Sequence, residues 1–222
     1  MVIAVEALKK GTARKPGKPL AMYYSTHYGL DSKNKIITDV LTTYADIIDS
    51  RALIDVFNRT ENRLNDLGLT IQKVSADRGY CSGENLRDLE SRGITPYIPI
   101  QKQVNFTSGF TIEKFIYDEE KDLFICPNNK ELSFQSYNKK NNQTGYVSNK
   151  EDCRGCPLKQ KCCPNSSKRY LSRTIFYKKY ERLSLRLKTP GGREAYVLRK
   201  TDPETLFAEA KMYNGLSKFI TR

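Results

Sequence analysis

Residues 69–100 read LTIQKVSA, DRGY, CSGENLRDLESRG and ITPYIPI in succession, and the fold turns on that stretch. Leu69, Ile71 and Val74 supply the apolar positions of a strand over 69–76. The strand runs straight into Asp77-Arg78-Gly79-Tyr80. Ser82 stands where a helix cap belongs, because its hydroxyl can accept an otherwise unpaired N–H of the first turn. The helix GENLRDLESRG follows and stops at Gly93, and ITPYIPI (94–100) is short and apolar, as a buried strand is. Working back, MYYSTHYGL (22–30) and IITDVLTTYA (36–45) are aromatic and β-branched, with DSKNK as a turn between them. They form a hairpin with Asp31 to Lys35 at its tip. A helix comes next, capped by Asp49 or Ser50 and ending near Gly68, with Ala52, Leu53, Val56, Phe57 and Leu64 at helical spacing. Two strands, a helix, a strand, a helix and a strand make an α/β fold, a mixed sheet with helices packed on it. GTARKPGKPL (11–20), rich in Gly, Pro and basic residues, is a loop or arm.

Beyond residue 100 the pattern changes. FTIEKFIYDEEKDLFICP (110–127) is a hairpin with an acidic turn at Asp118 to Asp122, and NKKNNQTG (138–145) is a polar loop. Cys126, Cys153, Cys156 and Cys162 then follow a Cys-x26-Cys-x2-Cys-x5-Cys pattern. Four soft ligands on two turns suit tetrahedral Zn²⁺, which would staple a polar segment with little core of its own. Cys163 competes for the fourth position; free thiols are the competing reading, and an iron–sulfur cluster, which can also use four cysteines, is a minor one. Cys81 lies apart and reads as structural. One helix spans 176–188; TPGG (189–192) breaks it; a last helix runs from about Pro203 to Tyr213.

The chain has 222 residues and six cysteines, and no apolar run approaches the ~20 residues that span a bilayer. The N-terminal apolar patch is short and its charges follow it, which excludes a secretory signal and places the chain in the cytoplasm. The net charge of +13 is unevenly spread. Residues 1–20 carry five Lys/Arg against one Glu, 21–167 balance at 19 each, and 168–222 carry 14 basic against five acidic side chains. Sorting of that kind points to a polyanion partner, most simply nucleic acid.

Two residues stand out chemically. Asp77 ends a buried strand, where ligand sites gather in open α/β sheets. Glu204 lies on a helical stripe with Phe207, Lys211 and Lys200, so one face offers a metal-binding carboxylate and phosphate-binding lysines. His27, the only histidine, lies in a strand and reads as a packed, hydrogen-bonded residue. A hydrolase triad and a Gly-rich phosphate loop are both unsupported.

ADRGYCSGENLRDLESRGITPYIP and YVLRKTDPETLFAEAKMYNGLSKFITR together resemble the second-Asp and Glu regions of bacterial DDE insertion-sequence transposases. ARKPGKPLAMYYSTHYGLDSKNKIITDV is similar to the preceding segment of a subgroup with a cysteine-containing insert. The resemblance implies an RNase H-like core interrupted by a β-rich, Cys-containing insert. Residues 1–104 would be its first part, 105–172 the insert, and 173–222 the helical part bearing the third acid. It implies Asp77 and Glu204 as metal ligands and catalytic carboxylates for Mg²⁺ or Mn²⁺. Such sites use two divalent ions, one for the attacking and one for the leaving oxygen of a phosphodiester.

The implied activity is DNA cleavage and strand transfer in transposition. The partner is double-stranded DNA, both transposon ends and target, met through Lys200, Lys211 and Arg199; a homo-oligomer is compatible with it. Relatives often carry Tyr-x2-Arg-x3-Glu-x6-Lys around the third acid. Glu204 and Lys211 fit; Lys200 falls on the Arg position and Val197 on the Tyr position, with Tyr196 and Arg199 one residue out of register. The family's first Asp, expected on a central strand upstream of the Pro-Gly-Lys-Pro arm, has no counterpart, and Asp31 or Asp39 would be its only substitutes. The expectation is therefore a chain truncated at both ends, short of its first strand, and inactive. The alternative is a noncatalytic, Zn-stapled nucleic-acid-binding protein on the same scaffold.

Overall fold

A computed structural model describes residues 2–9, 24–44, 46–101 and 109–213. The basic arm at 11–20 lies outside the described residues. The chain divides into two compact units, Met1–Gln101 with Lys179–Arg222, and Lys102–Lys178.

The first unit is built on a five-stranded sheet: β1 (Val2–Lys9), β2 (Tyr24–Asp31), β3 (Ile36–Tyr44), β4 (Lys73–Ala76) and β5 (Thr95–Tyr97), in the order β3-β2-β1-β4-β5. β1 runs antiparallel to β2 and parallel to β4, so the sheet is mixed. The expectation of a missing first strand is overturned. Val2–Lys9 fills the centre of the sheet, with Ile3 and Val5 fully buried. Its eight residues carry only a short apolar patch, too little to signal a strand locally. Pairing on both edges with β2 and β4 supplies what local sequence lacks.

The β2–β3 hairpin turns where expected. Lys33 and Asn34 donate to the buried Asp31 carboxylate, and Lys35 adopts φ 56°. α1 (Asp49–Asn65) lays Leu53, Val56 and Phe57 on the sheet against Val5, Val74 and Ala76. α2 (Gly83–Ser91) is capped as expected, Ser82 accepting from the Asn85 N–H at 3.1 Å.

In the second unit β6 (Ile116–Asp118), β7 (Leu123–Ile125), β8 (Glu131–Asn138), β9 (Gln143–Ser148) and β10 (Tyr170–Thr174) form an antiparallel sheet in chain order. Its first hairpin matches the sequence reading. The polar loop expected over 138–145 is a tighter turn: Asn138 accepts the N–H groups of Lys140 and Asn141, and pairing resumes at Gln143. Phe115, Phe124, Leu132, Tyr146 and Leu171 make its small core. α3 (Lys150–Arg154) and α4 (Lys159–Cys162) lie between β9 and β10.

α5 (Tyr177–Lys188) agrees with the helical spacing. α6 does not: it runs unbroken from Pro190 to Tyr213. Pro190 takes the first-turn position that the sequence reading gave to Pro203. Pro203 instead sits within the helix, where it withholds one backbone donor. Among the described residues no helix is long and apolar enough to cross a membrane.

Candidate functional site

Asp77 stands at the end of β4, where the chain leaves the sheet for a single 3₁₀ turn, Arg78–Tyr80. Its side chain is 48% exposed. Ala76, just before it, pairs with Val5 of β1, which is followed by Glu6, the only acidic residue in that strand. Glu6 and Asp77 thus each follow, in sequence, the last pair of that parallel register.

The turn is anchored from below. Tyr80 is fully buried, and its hydroxyl lies 2.7 Å from Nδ1 of His27 on β2. His27 is itself fully buried, and Nε2 lies 3.0 Å from the Thr43 hydroxyl. The histidine is thus a structural link between hairpin and turn, the bland reading of its sequence. Asn85 fixes the other side, donating to the carbonyls of Tyr80 and Ser50.

Gly79 is required by close packing. A Cβ there would stand 2.5 Å from Oδ2 of Asp49, the first residue of α1. Gly79→Ala is expected to displace the Asp49 carboxylate or the turn and to cost about 1–3 kcal/mol, the usual range for overpacking. Urea unfolding of the two proteins measures it; an unchanged midpoint would show that the turn gives way freely.

α6 brings the partner of Asp77. Arg199 Nη1 donates to Asp77 Oδ1 at 3.1 Å, and the Arg199 side chain is only 13% exposed. Tyr196, one turn earlier, places its ring 5.3 Å from the guanidinium. Arg199, read from sequence as a DNA contact, is thus turned onto the carboxylate. The pairing appears only when α6 is packed on β1 and β4. The side chains of Lys200, Glu204 and Lys211 lie outside the described residues, so the expected approach of Asp77 and Glu204 does too.

Neither candidate substitute for the first acid is available. Asp39 is buried on β3 and ion-paired with Arg59 at 2.8 Å and Arg63 at 2.5 Å. Asp31 holds its hairpin turn. Glu90 on α2 gathers Lys179, Arg182 and Arg186 of α5 within 3.5 Å. Burial alone would raise its pKa, but Lys179 and Arg182 outweigh that and lower it.

In the second unit Cys126, Cys153, Cys156, Cys162 and Cys163 line one cavity of about 30 Å³. None of the five is joined in a disulfide. Burial pushes the Cys162 thiol up to about 11, with Cys163 adding to the effect. Among the described residues no three His, Cys, Asp or Glu side chains are already gathered closely enough to hold a metal ion. Cys81, in the first unit, packs against the core, where burial raises its thiol to about 11.

Residues 125–222 match the family model described as transposase DDE domain. No curated protein and no solved structure matches the chain.

Proposed function

From the match of residues 125–222 to the family model described as transposase DDE domain, we propose that this chain is the core of a DNA transposase. Its function would be phosphodiester cleavage and strand transfer on duplex DNA, the transposon ends and the target. One observation carries this reading. Arg199 lies inside the family-matched segment and closes on Asp77, 122 residues away and outside that segment. The order β3-β2-β1-β4-β5, with β4 and β5 parallel to β1, makes the mixed sheet with packed helices that the resemblance implies, and it supports this reading.

Asp77 and Glu204 are then the second and third carboxylates. The exposed Asp77 carboxylate at a strand end fits a hard divalent ion, which binds through oxygen. Bound there, Mg²⁺ or Mn²⁺ would supply Lewis-acid stabilisation of the reacting phosphate oxygens. Arg199 holds the Asp77 carboxylate oriented, and Tyr196 supports Arg199 from one ring face. Lys200 and Lys211 flank Glu204 in sequence and offset its charge toward a phosphate backbone.

The reading includes inactivity of the chain as it stands, since β1 carries no aspartate and Asp31 and Asp39 are engaged elsewhere. That same absence favours the alternative, a noncatalytic nucleic-acid-binding protein on this scaffold. Cytoplasmic location and self-association belong to the proposal as well.

Metal binding separates the two readings. Mn²⁺ titration followed by electron paramagnetic resonance should show a weak site in the unmodified chain. Asp77→Asn should lower its affinity about tenfold or more, as loss of a metal-site group does. Equal affinity in both proteins would remove Asp77 from the site and leave the noncatalytic reading.

A further inference from the structure

The second unit has a small core for its length, and a unit of that size usually needs a staple. Its cysteines are distributed over three short structures that open onto the same cavity. Cys126 begins a tight turn. Its N–H donates to the Lys130 carbonyl at 2.8 Å, the Asn129 N–H donates to the Cys126 carbonyl at 2.8 Å, and Asn129 takes φ 52°. The Lys130 N–H then points back at Cys126 Sγ, 3.4 Å away. A backbone donor aimed at sulfur is what a metal-bound thiolate requires from its surroundings.

Cys153 sits on α3 and Cys156 just past it, beyond Gly155, whose position ends the helix. Cys153 Sγ lies 3.1 Å from the Ser148 hydroxyl. Cys162 ends α4, and its carbonyl accepts from the guanidinium of the buried Arg169, which also donates to the Phe110 carbonyl. Arg169 therefore fixes the last cysteine segment against the sheet.

The cavity is as notable for its cations as for its thiols. Lys130, Lys159 and Arg169 line it together with the cysteines, against a single carboxylate, Asp152. Lys130 also pairs with Asp152 at 3.8 Å, Lys159 donates to the Ser166 carbonyl at 2.7 Å, and Arg169 is held by the carbonyls of Cys162 and Phe110. Four thiolates around one Zn²⁺ carry a net charge of −2, and three cations with one Asp offset that charge. A volume of about 30 Å³ accommodates one ion and excludes a bulky organic ligand.

We propose that this cavity is a structural Zn²⁺ site, with the sulfurs of Cys126, Cys153, Cys156 and Cys162 as its ligands. Cys162 is assigned over Cys163 because it packs, with Cys126, against the same core cluster. Binding brings the four sulfurs inward to about 2.3 Å from the ion. The movement falls on a turn and two short helices rather than on the sheet. The inference is independent of the role given to Asp77.

The test is metal analysis by mass spectrometry of the full chain, produced in zinc-containing medium and freed of loosely held ions. About one Zn²⁺ per chain is expected. The pair Cys126→Ser and Cys153→Ser together should reduce it to near zero, while Cys163→Ser and Cys81→Ser should each leave about one. A variant can lose metal merely by unfolding, so the unmodified chain is also loaded with Co²⁺ in place of zinc. The visible spectrum should then show intense tetrahedral bands and sulfur-to-cobalt charge transfer. A folded chain with no bound metal, iron in place of zinc, or a pale octahedral Co²⁺ spectrum would overturn the site. Loss of zinc in Cys163→Ser with retention in Cys162→Ser would overturn the ligand assignment.

Discussion

Duplex DNA of unrelated sequences should bind this chain with similar affinity, and binding should weaken steeply with salt. The expectation rests on which basic residues the fold leaves facing outward. Residues 168–222 hold 14 of them. Arg169 is buried, Arg173 lies over the Tyr117 ring, Lys178 pairs with Glu119, and Arg199 with Asp77. Lys179, Arg182 and Arg186 converge on Glu90. Lys188 and Arg193 are exposed, and Lys200 and Lys211 join them by sequence. Four phosphate contacts release enough counterions that raising salt from about 50 to about 200 mM should weaken binding about a hundredfold. Lys200→Ala with Lys211→Ala should reduce the slope by about two units, for all sequences alike. Fluorescence titration of labelled duplexes at several salt concentrations is the measurement. Binding indifferent to salt, or lost for one sequence only, would mean that the basic segment serves a different partner.

The second large effect is an absence of chemistry. With Mg²⁺ or Mn²⁺ and labelled duplex, the chain should produce no strand transfer above background. A two-ion site needs carboxylates on both sides of the metals, and an ion short of one ligand holds neither the attacking nor the leaving oxygen in place. The central strand VIAVEALK offers no aspartate. The two aspartates nearest in sequence are held by Arg59 and Arg63 and by a hairpin turn. Gel analysis of the reaction products decides the matter. Metal-dependent joining that disappears in Asp77→Asn would show that another carboxylate completes the set. Glu6, which follows Val5 of the last β1–β4 pair as Asp77 follows Ala76, would then be the first residue to replace.

These expectations depend differently on sequence and fold. The Ser82 cap, the stops at Gly68 and Gly93, the hairpin tip at Asp31 to Lys35 and the helical face of α1 were legible in sequence. Each is set by groups within a few residues of one another: a hydroxyl meeting an N–H three residues on, a glycine taking positive φ, a period of apolar side chains. The spacing of the cysteines belongs with them, since it fixes which turns can offer sulfur.

Tertiary structure decided what local chemistry leaves open. Val2–Lys9 is a central strand because residues some twenty and seventy positions later pair with its two edges. Pro203 lies inside α6 because the packing of that helix on the sheet outweighs one lost backbone donor. Arg199 meets Asp77 because the rotation of α6 on the sheet selects which side chain faces the strand end. The sequence by itself thus determined the hairpin, α1, the strands and capped helix around Asp77, and the residue types available for chemistry. Which of those residues meet was decided only when the sheet and α6 came together, because burial and strand pairing act between segments far apart in the chain.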